Sequence, residues 1–163
     1  MSKRLFIGDI SCICCILVFL FVSVSQTFAE QATGKIKGPI TITSGMLTAD
    51  NQAGTALFEQ SVVARTTNMT LYADRMLVHY DKGTGHVTRI DAAGSVRVAA
   101  KNRVIISEEA VYYADEEKIL FTGEPRAVEG ENVVTGKKMT YMMNEDRFLV
   151  EGSKVFLSNK KEQ

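Results

Sequence analysis

Beyond residue 29 the chain has no cysteine, and nowhere does it have tryptophan. Without thiols there is no disulfide framework, no cysteine-rich metal site and no cysteine nucleophile, so stability has to come from a packed core or from protected β-edges. Net charge is also missing: 19 basic side chains face 19 acidic ones. Setting aside Lys3, Arg4 and Asp9 with the first 29 residues leaves 17 and 18, with the signs interspersed. A nucleic-acid binder needs a clustered basic face to replace counterions, so nucleic acid is excluded as a partner. No Gly-x-Ser-x-Gly elbow occurs, and Gly83-Thr84-Gly85 lacks the Lys-Ser/Thr of a phosphate loop. No stretch after residue 29 combines helical apolar spacing with caps, and little or no helix is expected.

The opening segment has its own composition. Two cations lie in Met1 to Arg4, an apolar run spans Ile10 to Val24, and Thr27-Phe28-Ala29 places small residues at −3 and −1 before Glu30. This reads as a cleaved secretory signal peptide over residues 1–29, leaving one domain of residues 30–163. The rival reading is a retained membrane anchor, although the run falls short of the roughly 20 residues a spanning helix needs. Cys12, Cys14 and Cys15 all belong to this run.

What the remainder does contain is a repeat. A small residue, two mostly polar residues and then an apolar-polar alternation recur as Ser44-Gly45-Met46-Leu47, Ala73-Asp74-Arg75-Met76, Ser107-Glu108-Glu109-Ala110 and Gly136-Lys137-Lys138-Met139. Their starts are 29, 34 and 29 residues apart. Fourteen positions after the start come Phe58, Phe121 and Val150, with Gln60, Gly123 and Gly152 two further on. In the second copy the counterparts are expected at Ile90 and Gly94, with part of its longer spacing absorbed by the Gly83-Thr84-Gly85 tip. Met76, Val78 and Tyr80, like Met139, Tyr141 and Met143, alternate with period two, which indicates strands with one apolar face. Asp50 to Gly54, Asp81 to Gly85, Ala114 to Lys118 and Asn144 to Arg147 carry turn chemistry. Each unit is expected to be a hairpin of about 29 residues followed by a short turn at Gly-x-x. The four units would stack into an elongated, twisted antiparallel all-β roll, with Pro125 at an edge or bulge.

The run Phe121-Thr122-Gly123-Glu124-Pro125-Arg126-Ala127-Val128, followed by Gly130-Glu131-Asn132-Val133-Val134-Thr135-Gly136, resembles the LptA/OstA family. Gly38-Pro39-Ile40-Thr41-Ile42-Thr43-Ser44 is similar to that family's mature N-terminus, and the resemblance extends over most of residues 38 to 157. It implies an open β-jelly-roll, taco-like, that shields lipopolysaccharide acyl chains across the periplasm. It also implies end-to-end stacking with itself and with inner-membrane and outer-membrane components of lipopolysaccharide transport. The residues themselves signpost neither an enzymatic centre nor a cofactor site. The first copy departs from the family in Gln60, where glycine is usual, and in the loose join at Asn68-Met69-Thr70.

The residues allow the same function. At about 0.8 kcal/mol per methylene, an acyl chain of a dozen or so carbons exposed to water costs on the order of 10 kcal/mol. An apolar face could remove that cost. Its expected lining is Leu47, Ala49, Phe58 and Val62; Met76, Val78, Tyr80, Ile90 and Val96; Ala110, Tyr112 and Phe121; and Met139, Tyr141, Met143, Val150 and Phe156. Methionine's unbranched thioether suits sliding contacts. The same residues would also serve as a closed, dry sandwich core, so open and packed interiors both stand. Unclosed sheet ends, at Ile40, Thr41, Ile42 and Thr43 and at Val155, Phe156 and Leu157, would accept strands of another copy, while Lys154, Lys160 and Lys161 would discourage promiscuous pairing. Two alternatives share these features: a membrane-anchored jelly-roll component of the same transport system, and a periplasmic β-scaffold that binds no lipid. His79 and His86 lack a signposted third ligand, and the acids Glu108-Glu109 and Asp115-Glu116-Glu117 are expected to be solvated charge rather than catalytic pairs.

Overall fold

The computed structural model describes residues 39–158, so the expected leader lies outside the described residues. Twelve strands form one antiparallel sheet, and no described residue is helical. They are β1 (Thr41–Thr43), β2 (Met46–Asp50), β3 (Thr55–Arg65), β4 (Met69–Tyr80), β5 (Val87–Ala100) and β6 (Arg103–Tyr113), followed by β7 (Lys118–Thr122), β8 (Arg126–Glu129), β9 (Asn132–Thr135), β10 (Lys138–Met142), β11 (Arg147–Glu151) and β12 (Lys154–Phe156).

The long strands bend. Pairing shifts register between Glu59 and Val62 in β3, between Tyr72 and Arg75 in β4 and between Ala93 and Val96 in β5, and these irregularities form one corner line. On one side of it β2, the first half of β3, the second half of β4, the first half of β5, the second half of β6, β7, β10 and β11 make a first wall. On the other side β1, the remaining halves of β3 to β6, β8, β9 and β12 make a second. The walls face one another over the core, as in an open jelly-roll.

Corner geometry explains the repeated motif. Ala73 and Ser107, which open the second and third copies, are buried at the bend, 5% and 4% exposed, where the walls converge. At Gly136 a Cβ would stand 2.5 Å from Val150 Cγ1 and 2.9 Å from the Glu151 carbonyl, so the fourth copy uses glycine. On these strands the inward alternation slips by one residue, since Ala73 and Met76 are both buried with two residues between them. On the returning strands a pair of left-handed residues makes the bend instead: Gln60-Ser61 (φ 68°, 57°), Gly94-Ser95 (77°, 49°) and Gly123-Glu124 (74°, 50°).

Two expectations are thereby corrected. Gly-x-x is a bulge through which β5 continues, because successive left-handed residues bend a paired strand without reversing it. Chain reversals in the second wall occur at Thr66 to Asn68, at Lys101-Asn102 and at Gly130-Glu131. The counterpart of Phe58, Phe121 and Val150 in the second copy is Ala92, opposite Met76, whereas Ile90 pairs with Val78. All the extra residues of that copy lie in the hairpin end between His79 and Arg89, where a lengthened tip leaves both walls in register. Pro125 is buried between β7 and β8, and its carbonyl accepts from the Gly136 amide.

Candidate functional site

The interior between the walls differs along its length. Across the first wall, next to the corner, cross-strand pairing lines up Phe58, Met76, Ala92, Ala110, Phe121, Met139 and Val150. Phe121 and Met139 at one end of the row are fully buried, at 0% exposure, as is Val96 of the second wall in the same core cluster. At Ala92 and Ala110 the row has only methyl groups to offer, and a cleft opens. Its lining is Met76, Ile90, Ala92, Ala110, Tyr112 and Ile119 from the first wall and Ile40, Ala64, Thr66, Met69 and Leu71 from the second. About 480 Å³ is free of atoms, the open mouth included. The interior is therefore filled at the C-terminal end of the sheet and carries a narrow apolar cleft toward the N-terminal end.

Most of the expected lining faces this interior. Val62, Met76, Val78, Ile90, Val96, Ala110, Tyr112, Phe121 and Met139 are buried, and Phe58, Tyr141, Met143 and Val150 pack against them half-buried. Half-buried Tyr80 donates to Asn51 Oδ1 at 3.0 Å. Leu47 and Ala49 pair with Phe58 and Ala56 and so share the inner face, but on edge strand β2 both are exposed. Phe156 is a correction. Val155 lies opposite the inward Val134, which puts Phe156, opposite Val133, on the outer face, 65% exposed.

Several interior residues went unanticipated: Ala64, Ala73, Ala92, Val98, Ile105 and Ile119 are all buried. Val98 and Ile105 belong to strand halves beyond the bulge, where a turn had been expected. Ile40 and Ile42, expected only as edge residues, line the cleft and pack against the core respectively. His79 meets Asp91 at 3.1 Å, and among the described residues no group of three His, Cys, Asp or Glu converges.

Over the packed end, side chains bridge the mouth. Arg103 of the second wall holds its guanidinium 4.4 Å from the centre of the Phe148 ring on the first, and Phe148 stacks on Tyr141 at 4.3 Å and 10°. Arg103 also grips Glu129 at 2.8 and 3.1 Å, and Asn102 donates to the same carboxylate at 2.7 Å. Lys101 reaches Asp146 at 3.6 Å, and Asp146 accepts from the Tyr141 hydroxyl at 2.9 Å. Burial, then the hydrogen bond to Asp146, raises the Tyr141 pKa above its ordinary 10.0; that hydrogen bond holds Asp146 below 3.8. The Arg103 hydrogen bond, with Asn102, lowers Glu129 below 4.5.

Residues 41–147 match the family model described as LptA/(LptD N-terminal domain) LPS transport protein. Among 21 solved chains that match is the crystal structure of LptH, the LptA homologous periplasmic component of the conserved lipopolysaccharide transport device from Pseudomonas aeruginosa. It aligns with TM-score 0.69 over 77% of this chain and 99% of that one, at 12% identity, which establishes a shared fold. No curated protein matches.

Proposed function

Because the chain belongs to the family of LptA and LptD N-terminal-domain lipopolysaccharide transport proteins, we propose that it is a periplasmic carrier that holds lipopolysaccharide acyl chains between its two walls. The observation that carries this reading is the apolar cleft between the walls, narrow, with small residues where Ala64, Ala92 and Ala110 face it, and open at the mouth. Acyl chains placed there would be spared about 0.8 kcal/mol for each methylene withdrawn from water, with no covalent step required. The carrier would work without enzymatic chemistry or a cofactor.

Transfer along a bridge needs contact between copies and with the inner- and outer-membrane components. Edge strands support end-to-end stacking: β1 and β2 finish one end of each wall, β12 and β11 the other, and among the described residues each pairs with a single neighbour. Their lengths correspond, three residues in β1 and β12 and five in β2 and β11.

Site-specific photocrosslinking tests the lipid reading. A photoreactive residue at Met76 or Tyr112 should capture lipopolysaccharide in cells, and one at Thr140, on the outer face of the first wall, should not. Equal capture at all three, or none at Met76 and Tyr112, would sink it.

A further inference from the structure

The outer face of the second wall differs from every other surface of the sheet. Cross-strand pairing lines up Thr43, Val63, Tyr72, Arg97, Ile106, Arg126, Thr135 and Lys154 on it, one residue per strand. A second row, nearer the rim, runs from Thr41 and Arg65 to Phe156 through Thr70, Ala99, Val104, Val128 and Val133. No outward position of this wall is Asp or Glu. Arg65, Arg97, Arg126 and Lys154 are all exposed, and among the described residues none of them has a carboxylate partner. Arg97 instead lies 5.4 Å from the centre of the Tyr72 ring. Ile106 and Phe156 stand clear at 45% and 65% exposure.

The surrounding acids lie at the borders of the face. Asp74, Glu108 and Glu124 stand exposed on the corner line, outside both rows, the first two close against Gly94 and Gly123. Glu129 turns inward to Arg103, and Glu131 at the rim bonds Ser158. The first wall's outer face is the contrast, with Glu59, Asp91, Glu109 and Glu151 interleaved with Arg75, Arg89 and Lys138.

We infer that the second wall's outer face docks on an anionic phospholipid membrane surface. Charge complementarity selects this occupant. Protein surfaces interleave both signs, whereas a bilayer rich in anionic headgroups presents one sign over a broad plane, which is what an acid-free sheet face with spaced cations complements. Short apolar side chains between the cations let headgroups approach, and Ile106 and Phe156 can enter the interfacial layer. The face lies opposite the groove side of its wall, so this inference does not depend on what the groove carries.

Flotation with vesicles tests it, using the chain as the cell processes it and phosphatidylglycerol–phosphatidylcholine vesicles against pure phosphatidylcholine. Comparing variants of one chain cancels any contribution from residues outside 39–158. Binding should require phosphatidylglycerol and weaken with salt. Each arginine near an anionic surface is worth about fivefold in partitioning, so R97Q/R126Q should bind roughly 25-fold more weakly. R75Q/K138Q removes the same charge from the opposite wall and should cost less than about threefold. Equal losses from the two pairs, equal binding to neutral vesicles, or retention by polyglutamate with none by anionic vesicles would each overturn the assignment.

Discussion

A single side chain occupies the space at each bend of the sheet, and which strand supplies it can be exchanged. In three copies the left-handed position is glycine and the neighbouring strand fills the corner: Asp74 against Gly94, Glu108 against Gly123, and Lys137 against Gly152, where a Cβ would lie 3.1 Å from Lys137 Cγ. The first copy inverts this. Gln60 takes the left-handed conformation despite its side chain, and the facing residue is Gly45, at which a Cβ would stand 2.5 Å from Gln60 Oε1 and 2.8 Å from its Cβ. The departure noted at Gln60 is thus one half of a swapped pair. Gly45→Asp alone should destabilise by about 1–3 kcal/mol through overpacking. Gln60→Gly alone exchanges relief of left-handed strain for an emptied corner. Together they reproduce the arrangement of the other copies and should exceed wild-type stability by about 1 kcal/mol, the cost of a non-glycine residue in that region. Urea denaturation of the four chains gives the coupling directly, and additive effects would contradict a shared corner.

Among the elements, β10 and β11 depend most on the bridge over the mouth, since β11 is an edge strand held by β10 and by the contacts of Phe148 and Asp146. The pKa directions set the pH window. Asp146 and Glu129 are lowered in the fold, so their contribution is present above the ordinary carboxylate range and is lost as pH falls through their folded values. Tyr141 is raised, so its contribution is present below about 10 and is lost as pH climbs through its folded value. In a spectrophotometric base titration, a tyrosine component above the ordinary value should vanish in Tyr141→Phe. In Asp146→Asn it should shift toward 10, while remaining raised by burial; a profile unchanged by either would show that the bridge does not form in solution. This bridge was not legible in the sequence, because Arg103 and Phe148 lie on different walls and no local pattern links them. The first wall was legible, since one apolar alternation runs from Met76 through Tyr80 and another from Met139 through Met143. The second wall's interior was hidden by its bends. At Ala73 the alternation slips by one, and at Gly94-Ser95 a glycine that reads as a turn lets the strand continue to Val96 and Val98. Phe156 was misplaced because it and Val155 are both apolar, and only pairing with β9 decides which faces inward.

For the molecule as a whole, the two ends of the sheet are chemically different, and this dictates what kind of assembly they can form. One end offers β1 and β2, the other β11 and β12, so a joint between unlike ends is heterologous and leaves a free end on each partner to continue the stack. A joint between like ends would close at two copies. Leu47 and Val155, 56% and 52% exposed on edge strands, allow the cases to be separated. A lysine at an edge opposes strand addition. In a heterologous stack every joint uses one end of each kind, so Leu47→Lys and Val155→Lys should each weaken self-association by roughly tenfold, equivalent to about 1.4 kcal/mol. Mixed together, the intact C-terminal edge of the Leu47→Lys chain meets the intact N-terminal edge of the Val155→Lys chain. Sedimentation velocity should then show a dimer and nothing longer, while wild type continues to grow with concentration. If one variant alone still dimerises at wild-type affinity, like ends are pairing, and a continuous apolar interior cannot be extended from one copy to the next by this edge.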